Sequence, residues 1–258
     1  MREVAMYAQE RQEHILRAAR TIGRVEVAEL AVQLDVAPET IRKDLTALER
    51  GGVLRRVHGG AIPVERLGFE PAVAARDVVL TAEKERIAKA AIAEIPEDGA
   101  VLIDAGTTTA RVADLMPGDR ELTIVTNALQ LAGKLAAYPN LNVLLIGGRV
   151  RSRTLASVDA WAQQALAGLY VDVCLLATNG VSVERGLTTP DPTEAAVKAA
   201  MISAARRVVL LADHSKVGHD HLARFGDLED VDLLITDTGL DERTAAELAA
   251  AGPRVVRV

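Results

Sequence analysis

Five short runs of small and polar residues, each following an apolar stretch, hold most of the chemistry of this sequence. They are Asp104-Ala105-Gly106-Thr107-Thr108-Thr109, Thr126-Asn127, Gly147-Gly148-Arg149, Thr178-Asn179-Gly180 and Asp213-His214-Ser215-Lys216. A glycine followed by hydroxyls at the start of a helix suits an anion, because free N–H groups and the positive end of the helix dipole converge there. Taken singly, each run reads equally well as an ordinary turn. Together they place backbone-exposing residues at one edge of a sheet, as a polyol-phosphate pocket requires. A sixth run, Gly186-Leu187-Thr188-Thr189-Pro190-Asp191-Pro192-Thr193-Glu194, leads into Lys198. Glu194 and Lys198 are four apart and share a helix face, which leaves two readings. One is a surface ion pair worth a few tenths of a kcal/mol, about 0.2–0.5. The other turns both into the pocket, lysine toward phosphate and carboxylate toward hydroxyls. Arg149, Arg151 and Arg153 alternate and are expected on one side of an extended segment, facing phosphate, a neighbouring subunit or solvent.

A second chemistry sits nearer the start. Residues 36–56 read as a short basic helix, a glycine stop and a basic hairpin ending in Val57-His58-Gly59-Gly60. The net charge of the whole chain is −6, yet residues 1–60 carry about +1 and the remainder about −7. Within 40–60, Arg42, Lys43, Arg50, Arg55 and Arg56 face only Asp44 and Glu49. A local basic patch on an acidic chain is the footprint expected of a DNA contact. In that reading Thr40, Arg42 and Lys43 enter the major groove, with Thr46 and Arg50 on the same exposed row. Arg55, Arg56 and His58 hold phosphate or probe the minor groove from the hairpin.

Elements must position both. Ile15, Ala19 and Ile22 mark one helical stripe, and Val27, Leu30, Ala31 and Leu34 a second. Pro38 suits the first position of a third helix, which buries Ile41, Leu45 and Leu48 at i, i+4 and i+7 and stops at Gly51-Gly52. Two strands between Val53 and Ile62 complete a winged helix-turn-helix over 7–62. Residues 63–80 lack periodicity and are expected to be a linker. From 81 to 258, continuous apolar strands at Val101–Ile103, Leu122–Val125, Asn142–Ile146, Val171–Leu176, Val208–Leu211, Leu233–Ile235 and Val255–Val258 alternate with helical stretches. That pattern predicts an α/β domain, a mainly parallel sheet covered on both faces, whose ligands bind beyond the carboxyl ends of the strands.

Composition closes off other classes. The 258 residues are 49% hydrophobic but 2% aromatic, so the core must be aliphatic. The start has no apolar stretch of signal-peptide type and no run approaches a membrane span of roughly 20 residues, so a cytoplasmic protein without membrane contact is expected. Cys174 is the sole cysteine and reads as a small hydrophobe in a buried strand. The five histidines have no metal-ligand spacing, and His219-Asp220-His221 reads as a mobile loop. With no dinucleotide fingerprint, phosphate-binding lysine loop or serine elbow, no cofactor and no metal is expected.

The run Glu39-Thr40-Ile41-Arg42-Lys43-Asp44-Leu45, with Leu48-Glu49, Gly52, Leu54 and Arg56-Val57-His58-Gly59-Gly60-Ala61, resembles the N-terminal signature of DeoR-family transcriptional regulators. Asp104-Ala105-Gly106-Thr107-Thr108, Thr126-Asn127, Gly147-Gly148, Gly186 to Asp191, Glu194-Ala195, Lys198 and Ala212 to Lys216 are similar to their sensor domain, in the same order. The resemblance implies a bacterial regulator, usually a repressor, of sugar catabolic genes. Its sensor fold would be Rossmann-like, similar to ribose-5-phosphate isomerase and glucosamine-6-phosphate deaminase, and would bind a phosphorylated sugar. Carried over by motif, the pocket comprises Asp104, Gly106, Thr107, Thr108, Asn127, Gly147, Gly180, Glu194, Lys198 and Lys216. The strand-end residues Thr126, Gly148, Arg149 and Asn179, with Asp191, complete the expected set. Four positions depart from the family pattern: Ala37 replaces a capping serine, Lys43 an arginine, and Asp159 and Ala177 glycines.

A ligand-controlled regulator is the expected function, acting on double-stranded DNA as a homodimer or homotetramer because one module makes few contacts. A sugar-phosphate isomerase or deaminase with an appended DNA-binding domain is the alternative. There, Asp104 and Glu194 would serve as bases beside a carbonyl.

Overall fold

The computed structural model describes residues 8–50, 53–57, 59–63 and 70–258, and the chain divides into two units, residues 1–79 and 80–258.

In the first unit, α1 (Ala8–Ile22), β1 (Val25–Glu26), α2 (Val27–Gln33), α3 (Pro38–Arg50), β2 (Leu54–Val57), β3 (Gly60–Pro63) and α4 (Val73–Asp77) follow in order. Ile15, Ala19, Leu30, Ile41, Leu45, Leu48, Leu54 and Ala61 form one aliphatic core. Three helices thus pack under a β2–β3 hairpin registered Arg55↔Ile62 and Val57↔Gly60. Ile22, expected on the apolar stripe of α1, is exposed instead, because it is the final helical residue and the chain turns away at Gly23. The two-residue β1, pairing Val25 with Ala61, is too short for a period-2 signal. The short helix α4 lies within the segment expected to lack periodicity. The Gly51-Gly52 stop and His58 lie outside the described residues, as do Tyr7 and residues 64–69.

In the second unit come α5 (Thr81–Ala91), β4 (Asp98–Ile103), α6 (Thr107–Val112), β5 (Glu121–Thr126), α7 (Leu129–Leu135), β6 (Leu141–Leu145), β7 (Arg149–Val150), β8 (Ser157–Val158) and α8 (Ala160–Ala167). They are followed by β9 (Val173–Ala177), β10 (Gly180–Ser182), β11 (Gly186–Thr189), α9 (Pro192–Ser203), β12 (Val208–Leu211), β13 (Ala223–Gly226), β14 (Leu233–Thr236), α10 (Glu242–Ala250) and β15 (Arg254–Arg257). Seven strands form one sheet in the order β15-β14-β12-β9-β4-β5-β6, with every neighbouring pair parallel. These are the seven apolar runs read from the sequence. Alternate strand residues feed opposite cores: Leu102, Cys174, Leu176, Leu210 and Leu234 pack with α8, α9 and α10. Val101, Ile103, Leu175, Val209 and Ile235 pack with α5, α6 and α7. Burial on both faces is why the central strands β9, β12 and β14 read as unbroken apolar runs. The antiparallel sheet β10-β11-β13 and the hairpin β7-β8 were not foreseen, being short and glycine- or polar-rich.

Candidate functional site

The chain runs outward from β4 through β5 to β6 on one side, and from β9 through β12 and β14 to β15 on the other. The strand order therefore reverses between β4 and β9, the place in such a sheet where a ligand crevice is expected at the carboxyl ends. Asp104 follows β4 and is 0% exposed. Its Oδ2 accepts the Ala177 amide of β9 at 3.0 Å and pairs with the Lys198 ammonium, delivered by α9. Lys198, 2% exposed, also donates to the Ala177 carbonyl at 2.9 Å and lies 5.6 Å from the centre of the Phe225 ring. Asp104 Oδ1 is buried with no hydrogen-bond partner among the described residues, an acceptor left unsatisfied. Cys174 lies buried beneath; burial, and then the Asp104 charge, pushes its thiol well above the ordinary value, so it stays a neutral, inert hydrophobe.

Beyond Asp104, Gly106 precedes α6, and Thr107, Thr108 and Thr109 are buried in its first turn. Two further predicted residues hold this loop from behind. Asn127 Oδ1 accepts the Ala105 amide at 3.1 Å and its Nδ2 donates to the Ser157 carbonyl at 3.3 Å. The Thr126 hydroxyl donates to the Ile103 carbonyl at 2.6 Å. Thr126 and Asn127 are thus committed to shaping the loop. A side chain on Gly106 would meet the Ala177 methyl at 2.9 Å and the Thr109 hydroxyl at 3.0 Å, so the packing leaves room for glycine alone at 106.

Glu194 is 2% exposed, so the surface reading of Glu194 and Lys198 is excluded: both are inside. Glu194 pairs with Arg151, which also reaches Asp191 Oδ2 at 3.2 Å. Asp191 caps α9 by accepting the Glu194 amide at 2.9 Å. Burial opposes its ionisation, but the Thr193 hydroxyl, backbone amides and Arg151 outweigh that and hold its pKa below 3.8. Arg149 reaches the Thr193 hydroxyl at 3.3 Å. The three alternating arginines do not share one extended face. Extension ends at Val150, and residues 151–155 close a turn through the Leu155 amide to the Arg151 carbonyl at 2.7 Å, leaving Arg153 exposed. Gly147 and Gly148 lead into β7. Arg151 is the residue sequence reasoning undervalued, because its two acidic partners lie 40 and more positions away.

At the end of β9, the Thr178 hydroxyl donates to the Gly180 carbonyl at 2.7 Å, and Asn179 Oδ1 accepts from Thr189 at 2.9 Å. His221, expected in a mobile loop, is buried, and its amide is held by the Thr188 hydroxyl at 3.0 Å. Lys216 ends a short turn after β12, half-buried and with no ion pair among the described residues. No group of metal-binding side chains occurs among the described residues.

In the first unit, α3 presents Glu39, Arg42, Lys43 and Arg50 exposed, with Thr40 and Thr46 at the margins. Asp44 is turned inward, where Arg11 Nε meets its Oδ2 at 2.5 Å and Gln12 donates to its Oδ1 at 3.0 Å. One of the two acids counted against the basic segment is therefore absent from its surface. Arg42 is paired with Glu39 at 2.9 Å. Arg56 donates its amide to Glu49 at 2.9 Å and its guanidinium to Thr46 at 3.3 Å. Since neighbours on a strand face opposite ways, Arg55 points away from α3 while Arg56 is tied to it.

The DeoR C terminal sensor domain model matches residues 80–238, and the DeoR-like helix-turn-helix domain model matches residues 11–66. The chain belongs to the DeoR family. Among its relatives is the HTH-type transcriptional regulator GlpR of Haloferax volcanii, 39% identical over 97% of this chain and 98% of that one. The putative aga operon transcriptional repressor of Escherichia coli O157:H7 is 31% identical over 96% and 93%. A solved ribose 5-phosphate isomerase A from Neisseria gonorrhoeae aligns at 17% identity over 54% of this chain and 55% of that one, with a TM-score of 0.39. This DeoR-family chain is a transcriptional regulator built from a helix-turn-helix and a sensor domain. No helix among its described residues is long and apolar enough to cross a membrane.

Proposed function

We propose that this regulator represses a carbohydrate catabolic operon and is released from double-stranded DNA by a phosphorylated sugar. In this reading residues 7–62 bind DNA, 63–80 connect, and 81–258 sense the effector and assemble the chain into a homodimer or homotetramer. The observation that carries the proposal is the unpartnered buried oxygen of Asp104 at the β4/β9 reversal, beside the hydroxyl-bearing start of α6. The hydroxyls of a sugar suit the open acceptor, and its phosphate suits the amides of Gly106 to Thr108 with Lys216 and Arg149 as cations. Lys198 and Glu194 act differently from a direct phosphate clamp. Each already holds an internal counter-charge, so they shape the pocket and keep it electrically balanced. The names of the relatives support repression, one being an operon repressor. The test is a gel shift on the intergenic DNA upstream of the gene, titrated with a panel of phosphosugars. Retarded DNA released by one phosphosugar is expected; DNA binding indifferent to every phosphosugar would overturn the proposal.

The regulatory reading is preferred to an isomerase or deaminase because the same Asp104 that a carbonyl-adjacent base would require is held ion-paired by Lys198. Pure protein is expected not to turn over ribose 5-phosphate or glucosamine 6-phosphate, and turnover of either would favour the enzyme.

A further inference from the structure

One histidine at the same sheet edge is oriented by a device that the backbone does not need. β12 and β14 are parallel neighbours. Asp237, 1% exposed and directly after β14, accepts the His214 amide on Oδ2 at 2.8 Å and the Gly239 amide on Oδ1 at 2.9 Å. Both oxygens are therefore satisfied by backbone donors alone. The His214 ring adds a third contact, Nδ1 to Oδ1 at 2.7 Å, so the carboxylate fixes the imidazole rather than the reverse. Gly239 makes the room. A side chain there would stand 2.4 Å from His214 Nδ1 and 2.7 Å from Asp237 Oδ1. The ring is held on one edge, yet the His214 side chain is 36% exposed, and its Nε2 has no partner among the described residues. Two residues on, Lys216 has no ion pair among the described residues. The intervening Ser215 is pinned by Asp213, which accepts its amide at 3.1 Å and its hydroxyl as well.

We infer that His214, positioned by Asp237, is a ligand-contacting residue of the effector site and takes a hydroxyl of the bound polyol phosphate, while Lys216 takes its phosphate. The chemistry follows from the tautomer. An ionised Asp237 accepts from Nδ1, so the neutral ring carries its proton there and offers Nε2 as an acceptor. An acceptor is matched to a hydroxyl, whereas an ammonium is matched to an anion. The end of β12 lies beside that of β9, so the turn adjoins the β4/β9 crevice. This inference rests on the sensing role proposed above and adds to it which part of the ligand each side chain reads.

The experiment uses the full chain, with ribose 5-phosphate, glucosamine 6-phosphate and inorganic phosphate as probes. Calorimetric affinities are measured for wild type, His214→Ala and Lys216→Ala. Nitrogen chemical shifts of the His214 ring are followed in wild type and Asp237→Asn. His214→Ala retains the amide contacts of Asp237 and is expected to fold, its Tm serving as the control. Expected are a loss of ~5-fold or more in phosphosugar affinity for His214→Ala with phosphate affinity unchanged, and loss of both for Lys216→Ala. In wild type the Nε2 resonance should move with phosphosugar and stay still with phosphate, and Asp237→Asn should redistribute the ring tautomer. An unchanged phosphosugar affinity in His214→Ala, or an Nε2 resonance blind to the ligand, overturns this inference and leaves the sensing role standing. Failure of wild type to bind either phosphosugar overturns both.

Discussion

Lys198 and Asp104, 94 positions apart, form an ion pair buried at the point where the strand order of the sheet reverses. Taking one member away leaves an unpaired charge in the interior, which costs about 3–5 kcal/mol, whereas replacing both with apolar groups of similar size is often near neutral. Lys198→Met and Asp104→Leu are each expected to destabilise the sensor unit by about 3 kcal/mol, and the double variant by clearly less than the sum. Chemical denaturation followed in the sensor unit checks this. Strict additivity would mean that the pair does not act as one.

The exposed row of α3 predicts DNA behaviour. Arg42→Ala is expected to weaken operator binding by about 10-fold or more if Arg42 reads a base edge. Arg55→Ala, facing away from α3, should lower the slope of affinity against salt by about one counterion without changing sequence preference. Affinity titrations at several salt concentrations separate the two effects, and an Arg42→Ala protein of unaltered affinity would remove α3 from the groove.

Asp237 predicts an acid-sensitive contribution. Burial opposes its charge, but donors from His214 and Gly239 prevail and hold its pKa below 3.8. A group whose folded value is depressed contributes stability fully above its ordinary value and loses it as pH falls through the folded value. Asp237→Asn should therefore be less stable than wild type at neutral pH, with the gap closing below 3.8. A gap of constant size across that range would show that the charge of Asp237 plays no part.

Asp159 stands at φ +88°, and its side chain does two jobs. It caps α8 through the Trp161 amide at 3.0 Å and accepts the Arg149 amide at 3.2 Å. Asp159→Gly loses the cap, which for glycine costs only a few tenths of a kcal/mol, and relieves backbone strain of about 1–3 kcal/mol, since ψ is −170° there. Asp159→Ala loses the cap and keeps the strain. Thermal denaturation should rank the glycine variant at or above wild type, with alanine clearly lowest.

Much of this architecture was legible because burial on both faces leaves an unmistakable imprint. The strands around Leu175 and Leu210 are apolar at every position, as is Ala100–Ile103 around Leu102, and α3 alternates Ile41 and Leu45 with Lys43 and Arg50. Strands such as Gly180–Ser182 escaped because they are short and polar and are defined by partners far along the chain. The same holds for the site. The motif positions were visible, but their pairing was not: only the fold brings Lys198 to Asp104, Arg151 to Glu194, Asp44 to Arg11 and Asp237 to His214. Ile22 departed from its expected face because it is the last helical residue before Gly23, and Arg153 because extension ends at Val150 and a turn follows.

The all-parallel order of the seven strands has a consequence in time. Parallel neighbours cannot be joined by hairpins, so each pairing waits for a crossover, and such long-range contacts form slowly. The first unit is small, rich in helices and leaves the ribosome first. At typical synthesis rates residues 80–258 need on the order of 10–40 s more to appear. A nascent chain therefore owns its helix-turn-helix unit before it owns the sheet that would sense a ligand or join it to a second copy.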